Sequence, residues 1–314
     1  MTGFLLRKTG AAIVVVLAVS VLVFLGIRAI PGDEATVMSD GDPTAIPYYR
    51  HLYLLDKPMP VQYGRWAWLA LQGNFGRDHS GIPVTTTIVQ RLPATFELAT
   101  LSLLLAVLLG VPAGVIAATR RGKTTDVGVT GTAVVAHSVP HFWLGLLLII
   151  YFAVDLHWLP ATGYVGWSNP VENLRHLVLP VIVLATGVAA GLMRQTRSAM
   201  LDSLGADYVR TARSKGLSEW RVVGRHALRN SLITVATLIA LDFGALLSGA
   251  AITESIFGLP GFGRLGLDAI NSRDYTMLQG VVLVTAVIWV VVNLFVDVVY
   301  SLLDPRIRLT AVPR

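Results

Sequence analysis

Apolar residues gather into long runs at roughly Ala11 to Ile30, Thr95 to Ala118, Val127 to Val154, Val178 to Met193, Leu232 to Ile252 and Leu278 to Tyr300. A bilayer's hydrocarbon core is about 30 Å deep, which about 20 helical residues cross. A chain in lipid must satisfy its own backbone hydrogen bonds, so runs of this length predict helices. The pattern predicts an all-α membrane protein with six transmembrane helices, the fourth run being the shortest.

The polar stretches divide the chain further. Residues 1–93 predict a first span followed by an extramembrane loop, Pro31 to Pro93; residues 94–303 predict the span-bearing core and 304–314 a tail. Within the loop, Val61 to Leu71 places apolar residues at helical spacing with Trp66 and Trp68, bounded by Pro58 and Pro60 before it and Gly73 after it. That pattern suits equally a helix lying in the membrane interface and a packed scaffold helix.

Between the fourth and fifth runs lies a basic stretch, Leu201 to Asn230. Asp207 to Lys215 reads as a helix that stops at Gly216, a residue suited to the left-handed turn after a helix end. Ser218 reads as the N-cap of a second helix, with Leu217 and Val222 at the spacing of a hydrophobic staple. On that helix Arg221, Arg225 and Arg229 form one predicted stripe and Trp220, Val223 and Ala227 another. The prediction is a two-helix elbow able to dock on a partner.

Small residues recur at i, i+4 inside the runs: Gly110 and Gly114, Gly187 and Gly191, Ala245 and Gly249. Such pairs allow close helix approach in lipid. Pro112, Pro140 and Pro180 predict kinks. Asp242, Asn293 and Asp297 fall inside the fifth and sixth runs, with Glu97, His137 and His141 nearer to ends or beside Pro140. Polar groups at that depth are either pathway residues or hydrogen bonds between helices.

Composition agrees with the pattern: 54% of residues are hydrophobic, 14% are charged and the mean hydropathy is +0.64, outside the range of a soluble domain. Charge then sets orientation. Arg7, Lys8, Arg120, Arg121, Lys123, Arg194, Arg197, the elbow, Arg306, Arg308 and Arg314 fall on one side of the predicted membrane. The positive-inside bias makes that side, and both termini, cytoplasmic. The first run is too long for a signal-peptide core and lacks a small-x-small cleavage site before Ile30-Pro31. The absence of cysteine excludes disulfides and thiolate metal sites.

Two stretches imitate cofactor motifs. Gly122-Lys123-Thr124 ends like a phosphate-binding loop, but Ala117 stands where its first glycine belongs and the stretch follows a helix. Gly261-Phe262-Gly263-Arg264-Leu265-Gly266 has dinucleotide-fingerprint spacing without a preceding strand. No catalytic constellation is visible, so neither a catalytic site nor a cofactor or metal site is expected in this chain. A membrane enzyme would need convergent catalytic side chains; an ion-coupled transporter would use Asp242 and Asp297 and carry inverted repeats, which are not visible.

Arg210-Thr211-Ala212, three residues, then Gly216 resembles the Glu-Ala-Ala…Gly loop of the membrane subunits of bacterial ABC importers, with Arg210 in place of Glu and Thr234 where Pro is common. Collinear stretches extend the resemblance to the first, "B"-type permease of dipeptide, oligopeptide and nickel importers. They include Leu5-Leu6-Arg7-Lys8 through Ile30-Pro31-Gly32-Asp33, Leu55-Asp56-Lys57-Pro58, Gln72-Gly73-Asn74-Phe75-Gly76, Arg91-Leu92-Pro93-Ala94-Thr95, Glu254 to Leu265, Arg273-Asp274-Tyr275 and Leu303-Asp304-Pro305-Arg306. The resemblance implies a type I importer permease bundle in the bacterial plasma membrane, forming half of a path for peptides, or for nickel or another small solute. It implies a second homologous permease, two cytoplasmic ATPases that hold ATP and Mg, and an extracytoplasmic solute-binding protein.

By the same resemblance Arg210, Thr211, Ala212, Arg213, Lys215, Gly216, Leu217, Ser218, Trp220 and Arg221 would couple to the ATPases, and Glu254, Phe257, Pro260, Gly261 and Gly263 would face the binding protein. The charge asymmetry predicts that a topology reporter at Lys123 reads cytoplasmic and one at Asp42 or Asn169 external. An external reading at Lys123 would overturn the orientation.

Overall fold

A computed structural model describes residues 2–29, 35, 36, 39, 42–52 and 54–303, except the side chains of residues 2–6, 52, 233, 249 and 297–303. The predicted tail, 304–314, lies outside the described residues. Helices carry the described chain, with one isolated bridge between Arg77 and Pro83. By packing, the chain divides into two units.

The first unit draws on residues 1–95 and 260–294. It contains α1 (Thr2–Arg28), α2 (Ile46–Leu52), α3 (Met59–Leu71), the start of α4 (Val84–Thr119), α12 (Phe262–Asn271) and most of α13 (Tyr275–Leu303). Pro60 sits in the first turn of α3, where a missing N–H costs nothing, and Gly73 at φ +75° lies just past its end. One face of α3 packs on α1: Tyr63 and Trp66 lie 5.4 and 6.0 Å from the Phe24 ring, and Arg28 Nε donates to Gln62 Oε1 at 2.7 Å. Of the two readings of this segment, the packed scaffold helix holds for that face, while Trp68 and Leu71 stay exposed on the other. A second core joins Val84, Ile88, Phe262, Leu265, Ala269, Met277 and Val281. Buried Asp274 caps α13 by accepting from the Met277 N–H at 2.8 Å and holds His79 at 2.8 Å.

The second unit draws on residues 96–259 and the end of α13. After α4 come α5 (Thr124–Ser138), α6 (His141–Leu148) running into a π-helical segment (Ile149–Asp155), and α7 (Pro170–Gly205). Then follow α8 (Asp207–Ser214), α9 (Glu219–Arg221) extended by a second π-helical segment (Val222–Leu228), α10 (Arg229–Gly249) and α11 (Ala251–Ile256). Helix α7 is the centre. Asn169 accepts from the Glu172 N–H at 3.3 Å and Pro170 occupies its first turn, so the helix starts well before the apolar run does. The shortest predicted span thereby becomes a 36-residue helix.

Glycine lets α4 meet α7 backbone to backbone. A Cβ on Gly110 would come within 2.6 Å of the Ala189 carbonyl oxygen, and one on Gly114 within 2.7 Å of that of Met193. The other small pairs differ: Gly187 receives the His141 ring, Gly191 has nothing within 4 Å of its would-be Cβ, and Ala245 is exposed.

The predicted third span is not one straight helix. Its two halves meet at 94°, because Pro140 has no N–H to continue the ladder and Val139 before it is extended at φ −74°, ψ 123°. Pro112 and Pro180, also expected to kink, lie within helices that run on through them. Among the described residues, four helices are long and apolar enough to span a membrane, and up to six crossings result if each of two bent pairs counts once.

Over-packing a close helix contact costs about 1–3 kcal/mol. Gly110→Val and Gly114→Val are therefore expected to lower the thermal midpoint of the detergent-solubilised chain, whereas Gly128→Ala, with nothing within 4 Å, should leave it unchanged or raised. Equal midpoints for all three variants would refute the close approach.

Candidate functional site

The elbow forms as a compact object. Helix α8 ends at Ser214 with Lys215 as its C-cap, Gly216 takes φ +76°, and Leu217 N–H bonds back to the Ala212 carbonyl at 3.3 Å. Turning the chain there lets Leu217 pack on buried Val209, Ala212 and Val222. Arg213 reaches across the turn to Glu219 with bonds of 2.8 and 3.3 Å. Ser218 stands at the N-cap position of α9, but its side chain makes no cap bond.

Beyond Arg221 the second arm differs from the sequence reading in two ways. It continues through the π-helical segment directly into α10, so elbow and fifth span are one bent element instead of two helices. The wider π turn also re-indexes its faces: Val222 and Ala227, five apart, are the buried positions, and Trp220 is 85% exposed instead of lying with Val223 and Ala227. Arg210, Thr211, Lys215, Arg221, Arg225 and Arg229 are exposed beside it. The exposed face is thus basic, with one protruding indole.

The elbow's inner side is tied to two spans. Ala227 joins Ala118 at the end of α4 and Met200 near the end of α7 in a buried cluster, with Val223 and Leu204 packed against it. Ser231 adds polar contacts, to Ser203 Oγ at 3.0 Å and the Ala199 carbonyl at 3.0 Å. Behind the elbow lies a cavity of ≈ 530 Å³ lined by Ala118, Arg121, Leu201, Arg213, Glu219 and Val223.

Two buried polar clusters hold this unit, and sequence reading missed one of them. Arg197 grips Asp126 through two bonds of 2.7 and 2.8 Å, and the Gly122 N–H adds a third at 2.9 Å. That last bond uses the amide that the phosphate-loop look-alike would have offered a ligand. A lone aspartate at the head of an apolar run beside three cationic residues was the available signal. At the opposite end of α7, buried Glu97 accepts from Tyr164 Oη at 2.9 Å and Asn173 Nδ2 at 2.7 Å. Burial, then the Glu97 carboxylate, pushes the Tyr164 phenol up to about 12, so it stays a donor.

The remaining sequence candidates do not converge. Asp242 is half-buried on α10, Asn293 is exposed and bonds the Trp289 carbonyl of its own helix at 2.8 Å, and the Asp297 side chain lies outside the described residues. Glu254 and Phe257, expected on an outward face, are buried at 0% and 1% exposure, just before the chain turns at Gly258 (φ +63°) after α11. Of that stretch Pro260 and Gly263 are partly exposed and Gly261 is buried.

Comparison with known proteins identifies the family. The Binding-protein-dependent transport system inner membrane component family matches residues 110–309, and the N-terminal part of the same membrane components matches residues 1–99. The Dipeptide transport system permease protein DppB of Escherichia coli is 39% identical over 338 residues, covering 98% of this chain and 99% of that protein. The Oligopeptide transport system permease protein AppB of Bacillus subtilis is 38% identical over 315 residues, covering 98% and 100%. Among solved structures, the MetNI methionine ABC transporter in inward-facing conformations aligns with a TM-score of 0.57 at 16% identity, covering 69% of this chain and 96% of that one, which shows the fold. Two family matches spanning nearly the whole sequence, and full-length relatives at this identity, make the chain a member of the binding-protein-dependent transport system inner membrane components, with the type I ABC importer permease fold.

Proposed function

We propose that the chain is the permease that forms half of a path for peptides through the bacterial plasma membrane, with both termini in the cytoplasm. A second homologous permease supplies the other half, two ATPases carrying ATP and Mg supply the energy, and an extracytoplasmic binding protein delivers the substrate. Relatives named for dipeptide and oligopeptide transport over their whole length support the peptide reading over nickel.

One observation carries the coupling assignment: the elbow exposes Trp220 among arginines on its outer side while its inner side is packed on α4 and α7. A partner that grips the indole and the basic rim of Arg210, Lys215 and Arg221 would move the elbow, and Ala227 would carry that motion to both spans. An exposed aromatic with neighbouring cations suits an anchor in a partner's groove. On the opposite side of the membrane, the partly exposed stretch at Pro260 and Gly263 meets the binding protein, and buried Glu254 and Phe257 support the segment that leads into it. The chain itself hydrolyses nothing.

Gly216 tests the proposal cleanly, since a side chain there meets no atom within 4 Å and is opposed only by the positive φ. Gly216→Val should cost on the order of 1 kcal/mol of local strain. The variant is expected to insert normally, to weaken ATPase association or uncouple hydrolysis, and to lose ATP-driven peptide uptake at matched membrane abundance. Normal uptake would refute the coupling role. The chain alone should show no ATPase activity, and uptake by it driven by an ion gradient would refute the permease reading.

A further inference from the structure

The break in the third span carries two imidazoles. Helix α5 ends at Ser138 and α6 begins at His141, so His137 and His141 flank the 94° bend. At about 1.5 Å per residue the bend lies roughly 20 Å along from the start of α5, within the hydrocarbon depth. Gly187, which the His141 ring meets, independently gives the same depth, since it sits near the middle of the 36-residue α7.

The two sides of the broken span differ. Ala133 is buried against Ala190 and Met193 of α7, with Ala136 packed alongside, and His137 follows one turn after Ala133 on that side. A Cβ on Gly187 would lie 2.7 Å from His141 Nε2, so the ring occupies a notch that only glycine leaves open. A Cβ on Gly145, one turn beyond His141, would lie 3.3 Å from the Phe257 ring. The other side presents Val134, Val135, Phe142 and Trp143 around an apolar groove of ≈ 510 Å³.

The His141 ring therefore faces α7, and both imidazoles are exposed in this chain. They stand four residues apart, one on either side of the break. Among the described residues neither ring makes a hydrogen bond or an ion pair. Exposed ring nitrogens at membrane depth, beside interrupted backbone, belong where water reaches, because lipid satisfies neither. Two neighbouring ring N–H donors match the two oxygens of a carboxylate.

We propose that His137 and His141 line the translocation path and hydrogen-bond the carboxylate of a passing peptide, the substrate half of this resting on the peptide reading above. The chain contains no cysteine, so a single introduced thiol reports its own surroundings. The permease with its ATPases, in vesicles and at equal abundance, carries either His137→Cys, which keeps His141 to hold the carboxylate, or, as the lipid-facing control, Val135→Cys. A charged thiol reagent attacks the thiolate, which hydrocarbon suppresses, so His137→Cys should react at least about tenfold faster. A saturating dipeptide should slow that reaction severalfold, and the same dipeptide as its C-terminal amide should slow it less. Equal, slow reaction at both positions would overturn the path assignment whatever the substrate. Fast reaction that the dipeptide and its amide slow equally, or that neither slows, would overturn the carboxylate contact. A wild-type complex that takes up no peptide would instead refute the peptide reading and leave the comparison of the two thiols to decide the path.

Discussion

The contact of α4 with α7 at Gly110 and Gly114 is the constraint on which the second unit depends. Hydrophobicity cannot drive two helices together in lipid, so close packing must. Here would-be Cβ atoms at 2.6 Å from backbone or side chain show that no larger residue fits without displacement. With α4 seated, α7 offers its other faces to α5 and α10, and its buried positions, Leu177 to Met200, run most of its length. The Arg197–Asp126 pair closes one end and the Glu97–Tyr164–Asn173 cluster the other. Each satisfies a group that would be costly to bury alone.

The elbow inherits its rigidity from that frame. Its visible brace, Arg213 with Glu219, is 44% and 65% exposed, and solvent screens such a pair so that it adds little. Burying one valine side chain contributes about 1.5–3 kcal/mol, and Val209 and Val222 are both fully buried. The apolar contacts therefore hold the two arms, and the ion pair sets only their angle. Since Ala227 belongs to the same cluster as Ala118 and Met200, a force on the outer face reaches two spans through packed atoms without passing through a loop.

Much of this was legible in the chain because the strongest signals are local. Run length gave four of the six spans as single helices, Gly216 the left-handed turn, and Leu217 with Val222 the staple, and the structure agrees on these. What escaped depends on three-dimensional partners. Apolar run length understated α7, because its polar ends at Pro170 and Gly205 stay helical through capping and packing. A 3.6-residue wheel misplaced Trp220, because the turn after Arg221 is π-helical, and no residue type announces that. Burial of Glu254 and Phe257 comes just before the turn at Gly258, which motif matching treats only as a letter. Pro140 predicts a kink, but the 94° size of the bend depends on the extended Val139 before it.

We propose that the outer face of the elbow is covered by the ATPase. Ser218 is exposed and makes no cap bond, so Ser218→Cys leaves the fold intact and adds a thiol beside Trp220 to a cysteine-free chain. Its reaction rate with a soluble thiol reagent, with and without the ATPase subunits, is the most direct measurement. Strong protection on assembly, with none for a thiol introduced by Asp42→Cys, is the predicted result. Equal reactivity of Ser218→Cys in the presence and absence of the ATPases would contradict the account.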